Sequence, residues 1–346
     1  MKFLRSLSVW IISINLFVVF RYAGTERMGH LEWIELLTGS TIAAIIIGTL
    51  FHISGKILER KTTRRRSFLS LIFLQIGVFI VAILVSGVIA LALISVFFEN
   101  DTGQDIQRTL AIVIRSSDTI VYTGFVLVVS LIFYYNNQMI KKIGSARLFK
   151  LLIGKYHQPT MEELIIMFLD LKSASAIAER LDSFKYSLFL QDFFFDLDMA
   201  ITETGGVIHQ YVGDEIVVVW DMKTGTQHNN CLKAFFLAED IINEENNKYL
   251  RKYGLVPEFK AGMHAGKVVV AEVGRSKQEI AFHGDAINTA ARIRSQCTDL
   301  NSQLLISSDL LSRLSYFDEE YNIESAGVFS LKGKQNAVGL ITVTRK

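Results

Sequence analysis

The sequence predicts a chain of two parts: an α-helical membrane domain with four transmembrane helices, then an α+β domain in which helices flank a mainly antiparallel sheet. Two observations predict this architecture. Apolar residues are concentrated in the first 140 positions, in stretches long enough to cross a bilayer. Beyond them, strand-like runs alternate with segments of helical periodicity. With 346 residues, the chain is long enough for both domains.

Four apolar stretches support the membrane domain, since each approaches or exceeds the ~20 residues that a spanning helix needs. They are Leu4–Phe20, Ile34–Ile53, Phe68–Phe97 and Thr119–Tyr135, of which the third is long enough to tilt. A buried helix of a soluble protein is the alternative for any one of them. Four in succession without a polar face favour the membrane. The first stretch resembles a signal peptide, but no small-residue cleavage site follows it, so we expect it to be retained.

Basic residues predict the orientation. Six lysines and arginines lie between the second and third stretches and five follow the fourth, whereas the other two loops hold two each. We therefore expect a multi-pass protein of the plasma or inner membrane, in contact with lipid, whose N-terminus and second domain are cytoplasmic. The topology explains the basic residues, so the net charge of +2 does not indicate nucleic acid. Cys231 and Cys297 lack metal-site spacing and are expected to be core thiols.

The predicted domain boundaries are a membrane domain at 1–137, a helical connector at 138–160 that a turn closes, and the α+β domain at 161–346. The patterns in this last domain predict, in order, a strand ending at Asp170, a helix at Ser175–Thr204, a hairpin at Val207–Trp220, a helix at Asn229–Tyr249, a strand at Glu258–His264, a hairpin-like return at Lys267–Val273, a helix at Asp285–Cys297 and short closing strands.

Two aspartates stand 44 positions apart at the ends of strand-like runs. Asp170 ends the apolar run that begins at Leu164, and Asp214 lies in a Gly-Asp turn of the predicted hairpin. A strand end beside a hairpin tip can hold two carboxylates a few ångströms apart, which is costly unless cations neutralise them. This pair therefore indicates two-metal chemistry on a phosphate.

Two further clusters suit a nucleotide. Asn288 and Arg292 are four positions apart, so they share one helix face and could hold a ribose and a phosphate. A surface amide and guanidinium on a helix capped by Asp285 is the plainer interpretation of this cluster alone. Lys332 and Lys334 flank a glycine in a segment that could cradle a polyphosphate, although such a segment is more often a solvated turn.

In combination these motifs resemble the class III nucleotide cyclase catalytic domain, the adenylate and guanylate cyclase family. The resemblance covers about residues 162–345 and consists of five motifs in the family's order. They are Phe-Leu-Asp170, Val-Gly-Asp214, Gly262-Met-His-Ala-Gly266, Gly284-Asp-x-x-Asn-x-x-Ala-Arg292 and Leu-Lys332-Gly-Lys. The fold that the resemblance implies is a ferredoxin-like palm, an antiparallel sheet flanked by helices.

The resemblance also implies roles for residues at matching positions. Asp170, Asp214 and the backbone carbonyl of Leu171 would bind two Mg²⁺ or Mn²⁺ ions per active site. Asn288 would orient the ribose of ATP and Arg292 would offset charge on the α-phosphate. Lys332 would contact the terminal phosphates. The implied reaction is attack of the ribose 3′-oxygen on the α-phosphorus, which forms 3′,5′-cyclic AMP and releases pyrophosphate.

In this family the metal-binding aspartates come from one protomer and the Asn/Arg pair from the other. Both sets are present in this one chain, so the resemblance implies a homodimer with two composite sites. The base-reading positions depart from the family pattern. Gln210 stands where adenylate cyclases usually have lysine, and Ala281 where Asp, Thr or Ser is common. A glutamine amide could meet adenine or guanine, so guanylate and pyrimidine nucleotide cyclases stay open as alternatives.

Two other function classes stay open. A cyclase-fold membrane receptor without turnover would explain the altered base-reading pair, although it would have no chemical need for the metal, ribose and phosphate residues. A transporter would need charged residues within the bilayer, where the stretches hold Glu35 near one end and the neutral Asn15, His52 and Gln75. Hydrogen bonds between helices explain these more simply. No residue pattern identifies a stimulus for the membrane domain.

Overall fold

The structure is a computed structural model, and the residues it describes form two compact units, residues 1–139 and 140–346. The described residues are 2–23, 30–58, 70, 73–74, 76–83, 85–86, 117–143, 154–276, 278–315, 320–332, 334 and 336–346.

Helices form the first unit. They are α1 (Lys2–Tyr22), α2 (His30–Leu58) and α3 (Ser117–Ile143), and residues 76–83 are also helical. Among the described residues only α2 contains a span long and apolar enough to cross a membrane, the 24 residues Trp33–Lys56. The apolar parts of α1 and α3 are shorter, and most of the predicted stretch Phe68–Phe97 lies outside the described residues. The four-helix, multi-pass topology therefore stays a prediction.

Polar side chains in the first unit join helices to one another. Asn15 of α1 donates from Nδ2 to Thr41 Oγ1 of α2 at 3.1 Å, and its Oδ1 accepts from Ser40 Oγ at 2.8 Å. Trp10 is fully buried against the rings of Phe51 and Phe133. The polar residue Asn15 thus serves helix packing, as the sequence predicts.

The second unit alternates strands and helices. Its elements are β1 (Thr160–Leu171), α4 (Ala174–Arg180), α5 (Ser183–Glu203), β2 (Val207–Val212), β3 (Glu215–Asp221), α6 (Met222–Thr226), α7 (Asn230–Glu244), α8 (Asn246–Tyr253), β4 (Phe259–Val273), β5 (Glu279–His283), α9 (Asp285–Asp299), β6 (Leu304–Ser307), α10 (Ser308–Leu311), β7 (Tyr321–Phe329) and β8 (Val338–Arg345).

The strands form one sheet in the order β2-β3-β1-β4-β6-β8-β7, and β5 pairs with β4. Of the paired strands described, β4 and β6 run parallel and the other pairs antiparallel, so the sheet is mixed. Successive side chains of β1 point to opposite faces. Met167 and Leu169 pack on one face against α5 and α7, and Ile166 packs on the other face against α9. This two-sided burial explains the continuous apolar run before Asp170.

Several predicted elements are corrected by the structure. The strand and hairpin-like return predicted at Glu258–His264 and Lys267–Val273 form one strand, β4, because it pairs with β1 from Phe259 to Val270 without interruption. The long helix predicted at Ser175–Thr204 is two helices, since Leu181 is extended and Asp182 caps α5 by accepting from the Lys185 amide at 2.9 Å. The helix predicted at Asn229–Tyr249 is likewise two, α7 and α8. The N-cap of α9 is Gly284 rather than Asp285.

Both cysteines are core thiols. Cys231 is fully buried and Cys297 is 1% exposed. Burial raises the pKa of each thiol to about 12. The sequence prediction for these two residues is confirmed.

Candidate active site

Asp170 and Asp214 meet at one end of the sheet. Asp170 is the penultimate residue of β1, and Asp214 lies in the tight turn between β2 and β3, where Gly213 adopts a φ of +62°. Their carboxyl groups lie close enough to interact electrostatically. Burial raises the pKa of Asp170, Arg294 opposes the rise, and Asp214 adds to it. The two predicted metal ligands are thus together, as the sequence indicates.

Three charged residues that the sequence analysis did not select surround Asp170. In the sheet register Asp170 lies opposite Glu215 of β3 and Lys260 of β4. Arg294 of α9 donates from Nη1 to Asp170 Oδ2 at 3.2 Å, and its Nη2 lies 2.6 Å from Glu215 Oε2. Lys260 Nζ is 3.7 Å from the same Asp170 oxygen. Strand pairing could have predicted Glu215 and Lys260, whereas Arg294 depends on how α9 crosses the sheet.

This end of the sheet fits a divalent cation. The donor set consists of carboxylate oxygens and the chain carbonyl of Leu171, which are the hard ligands that Mg²⁺ and Mn²⁺ prefer. The carboxyl groups of Asp170 and Asp214 share one site, and the cationic side chains of Lys260 and Arg294 form ion pairs with Asp170 there. No group of three or more His, Cys, Asp or Glu side chains suited to a metal occurs among the described residues. A cation here would therefore need further oxygen ligands from water or substrate phosphate.

Two glycines hold α9 against β4. A Cβ built on Gly262 would lie 2.1 Å from the Arg294 backbone nitrogen, and one built on Gly266 would lie 2.7 Å from the Ala286 Cβ. Because the two glycines are four positions apart on a strand, they face the same side of the sheet. The helix packs directly on strand backbone at both points, which fixes the position of the α9 backbone relative to the sheet.

Arg292 and Lys332 line one cavity of about 410 Å³, together with Ser295, Gln296 and Leu331. Arg292 Nη1 is buried without a hydrogen-bond partner in the part of the chain that the structure describes. Asn288, one turn earlier on the same helix face, is exposed. The structure therefore brings Lys332 to Arg292 across 40 positions of sequence. A guanidinium and an ammonium lining one cavity can bind a phosphate group.

Arg292 and Arg294 point to different sides of α9, because residues two apart on a helix are rotated by about 200°. Arg294 contacts Asp170 of its own chain, and Arg292 faces the cavity. One copy of the chain thus presents a carboxylate cluster and a cationic cluster in separate directions.

The lysine segment is attached to the start of α9. Lys334 Nζ lies 3.0 Å from Asp285 Oδ2 in the first turn of the helix. His264, on the β4 face between Gly262 and Gly266, is 5% exposed and its Nδ1 lies 2.7 Å from Ser307 Oγ. Burial lowers the pKa of His264 to about 4, and the charge of Lys334 contributes. This histidine is a buried structural group that the motif alone did not explain.

A β-bulge determines which way Gln210 points. The register of β2 on β3 shifts between Ile208 and Gln210, so that Gln210 pairs with Val217. Val217 belongs to the sheet face that packs on α9, and paired residues share a face. Without the extra residue, His209, Gln210 would point to the opposite face.

The predicted base-reading residues flank an aromatic contact. His209 stacks on Phe282 with ring centroids 4.0 Å apart and planes within 3°. Gln210 follows His209 and is exposed, and Ala281 precedes Phe282 and is half-buried. The stack therefore joins β2 to β5 next to both positions. Sequence periodicity gave no indication of it, because the bulge interrupts the alternation.

A model of the adenylate and guanylate cyclase catalytic domain family matches residues 156–342, more than half of the chain. Adenylate cyclase 2 of Rhizobium meliloti (strain 1021) is 32% identical over 202 residues, covering 58% of this chain and 55% of the relative. An adenylate cyclase of Anabaena cylindrica is 29% identical over 188 residues, covering 52% of this chain and 36% of the relative. Guanylate cyclase D of Mus musculus is 26% identical over 174 residues, covering 50% of this chain and 15% of the relative. The chain spans about half or less of the length of these curated relatives.

Among solved structures, a bacterial light-regulated adenylyl cyclase is similar, with a TM-score of 0.52 at 18% sequence identity. The match covers 66% of this chain and 67% of that one. At this identity the likeness concerns the fold.

Proposed function

Since the chain belongs to the adenylate and guanylate cyclase catalytic domain family, we propose that it is a membrane-anchored class III nucleotide cyclase that converts ATP to 3′,5′-cyclic AMP and pyrophosphate. The observation that carries this proposal is the meeting of Asp170 and Asp214, 44 positions apart, at the end of β1. The cationic cavity of Arg292 and Lys332 supplies the complementary phosphate-binding groups.

The site residues have different roles in the proposed reaction. Asp170, Asp214 and the carbonyl of Leu171 would hold two Mg²⁺ or Mn²⁺ ions, which lower the pKa of the ribose hydroxyl and neutralise the triphosphate when bound. Arg292 offsets the charge that develops on the α-phosphate while the 3′-oxygen attacks phosphorus. Pyrophosphate leaves with the electrons of the broken bond, and the 3′-hydroxyl proton passes to solvent.

The substrate is positioned by three further groups. Asn288 donates or accepts a hydrogen bond to orient the ribose, and Lys332 binds the terminal phosphates. Gln210 would face the base from the sheet face that carries α9, and Ala281 directly precedes the Phe282 ring that stacks on His209. Orientation of this kind counts because the reaction is intramolecular, and its rate depends on holding the 3′-oxygen in line with the leaving group.

We propose that the active unit is a homodimer with two composite sites. The support is the geometry of α9, on which Arg294 points to the carboxylates of its own chain and Arg292 points elsewhere. In a two-fold dimer, Arg292 and Asn288 of one copy face Asp170 and Asp214 of the other. Asp214→Ala and Arg292→Ala are each expected to be inactive. Mixing them should restore activity at one of the two sites, and a mixture without activity would contradict the composite site.

Membrane anchoring is proposed from α2, whose span Trp33–Lys56 is long and apolar enough to cross a bilayer. The finer proposal is a multi-pass domain at 1–137, in contact with lipid, that transmits a stimulus through the connector at 138–160. The full chain should then sediment with membranes after a carbonate wash and be released by detergent. Release by carbonate would contradict anchoring.

Product formation tests the activity directly. Full-length protein in detergent, with Mn²⁺ and ATP, GTP, CTP or UTP offered separately, should yield cyclic AMP by mass spectrometry. Asp214→Ala is the blank, and Asp299→Ala, an exposed aspartate at the end of α9, is the matched control that should keep activity. Cyclic GMP or a cyclic pyrimidine nucleotide would keep the mechanism and overturn the substrate. No product from folded, dimeric protein would favour a non-catalytic receptor, the alternative that the departures at Gln210 and Ala281 support.

A further inference from the structure

Arg294 spans two carboxylates at the candidate metal site. Its Nη1 is 3.2 Å from Asp170 Oδ2 and its Nη2 is 2.6 Å from Glu215 Oε2. The side chains of Arg294, Asp170 and Glu215 are 26%, 13% and 11% exposed, so the three charges are largely removed from water. Because the sheet register sets Asp170 directly opposite Glu215, the two carboxylates present a fixed pair that one guanidinium fork can span.

The charges at this end of the sheet require a counter-ion. Asp170, Asp214 and Glu215 provide three carboxyl groups within mutual electrostatic range, while Arg294 and Lys260 provide two cations. Burial raises the pKa of Asp170 and Glu215, and Arg294 is the largest influence that opposes the rise at each. Without Arg294 these carboxylates would depend on Lys260, 3.7 Å from Asp170, or on a bound cation.

The backbone of Arg294 cannot withdraw, but its side chain can move. A Cβ on Gly262 would lie 2.1 Å from the Arg294 nitrogen, so this turn of α9 rests on the β4 backbone. The guanidinium donates a hydrogen bond from Nη1 to Asp170 and forms an ion pair through Nη2 with Glu215, and its Nε is buried with no hydrogen-bond partner among the described residues. A rotation about the side-chain bonds can thus release Asp170 while Nη2 keeps Glu215.

We propose that Arg294 is an internal counter-ion that competes with the divalent cation for Asp170 and thereby sets the metal affinity of the site. The inference rests on the proposed function for the presence of a metal at Asp170. In the metal-free protein Arg294 bridges Asp170 and Glu215. When the cation binds, Arg294 gives up Asp170 and remains on Glu215, so that the site never holds uncompensated carboxylates. Arg294 is a positioning residue, because it acts through Asp170 and not on the substrate.

Mn²⁺ binding tests this proposal without nucleotide. Full-length protein in detergent is titrated with Mn²⁺, and free Mn²⁺ is followed by electron paramagnetic resonance. Arg294→Gln is expected to lower the Kd by roughly tenfold, because it removes a cation in direct contact with a ligand. Arg294→Lys should stay near the wild-type value. Arg313→Gln, the matched control, removes a guanidinium paired with Glu163 at 2.5 Å away from this site and should leave the Kd unchanged.

Thermal unfolding gives a second readout. Metal-free Arg294→Gln should have a lower melting temperature than the wild-type protein. Saturating Mn²⁺ should raise the melting temperature of the variant by more than it raises that of the wild-type protein. A purely structural role would lower the melting temperature and leave the Mn²⁺ affinity unchanged or weaker, and that result would overturn the proposal.

If Arg294→Gln does not fold, Lys260→Gln provides the test, since it removes the second cation near Asp170 and should lower the Kd by a smaller factor. An unchanged or higher Kd would overturn the proposal. Wild-type protein that binds no Mn²⁺ would overturn both this inference and the metal part of the proposed function. A normal wild-type Kd with no shift in either variant would overturn the inference alone.

Discussion

Gly262→Ala should disrupt the contact between β4 and α9. The added Cβ would lie 2.1 Å from the Arg294 nitrogen and 2.6 Å from its Cα, whereas ordinary contact begins at 3.4 Å. The helix would have to withdraw by about 1.3 Å, which is 3.4 Å minus 2.1 Å. The obstructing atoms are backbone, and the adjacent Ile293 and Cys297 are buried, so no side-chain rotation relieves the clash.

Both stability and rate should fall. Overpacking a core costs ~1–3 kcal/mol, and a clash with helix backbone belongs at the upper end, about 3 kcal/mol. For a domain of this size that lowers the melting temperature by roughly 6–12 °C. The same movement displaces Asn288 and Arg292, and a misplacement of ~1 Å can reduce the rate by about 100-fold.

The assay is thermal unfolding of the full-length protein together with cyclic nucleotide formation in Mn²⁺. Gly266→Ala is the matched comparison, since its Cβ would meet the Ala286 methyl at 2.7 Å near the helix start. We expect a smaller loss there, because this approach is less close than the 2.1 Å at Gly262 and involves one atom under 3 Å, whereas Gly262 would meet three. Wild-type stability and activity of Gly262→Ala, or a larger loss in Gly266→Ala, would refute the reasoning.

Three further predictions follow from the site. Because burial lowers the pKa of His264 from 6.5 to about 4, the unfolded chain binds the extra proton first as pH falls. The contribution of neutral His264 to the free energy of unfolding should be complete above pH 6.5 and decline by up to about 3 kcal/mol towards pH 4, as urea unfolding would measure. His264→Gln should reduce this dependence on pH, and an equal dependence in the variant would contradict the assignment. His209→Ala should change the ratio of kcat/KM for ATP over GTP by roughly fivefold and His209→Phe should preserve it, since stacking on Phe282 is worth ~1 kcal/mol; equal ratios in both variants would exclude a positioning role. Lys332→Ala should raise KM for ATP by roughly tenfold with a smaller change in kcat, and an unchanged KM would remove Lys332 from the phosphate site.

The sequence predicted the parts of the site that depend on local patterns. Asp170 and Asp214 were found together because a buried strand and a tight Gly-Asp turn each leave a recognisable pattern. Strand β4 was divided wrongly, because Ala265-Gly-Lys267 looks like a turn to local propensity, whereas continuous pairing with β1 keeps it extended. The breaks after α4 and α7 were missed, since both flanking segments keep helical periodicity.

Residues whose role depends on tertiary packing could not be predicted. In the sequence, Arg294 looks like an exposed helical arginine. Its contact with Asp170 depends on the close packing of α9 on β4 at Gly262, which only the structure shows. The direction of Gln210 depends on a one-residue register shift, which alternation patterns do not reveal. The membrane prediction used composition, and among the described residues one helix meets the length and hydropathy that it requires.

The buried state of the two cysteines has a practical consequence for measuring the proposed dimer. Both thiols are buried and the pKa of each is raised to about 12, so maleimide and nitroxide reagents should react with neither residue at about pH 7. A cysteine introduced at an exposed position, such as Met199 of α5 at 57% exposure, would be the reactive thiol of the chain. Two copies would then carry one spin label each. The distance between the labels would report how two catalytic domains are arranged, without replacement of the native cysteines.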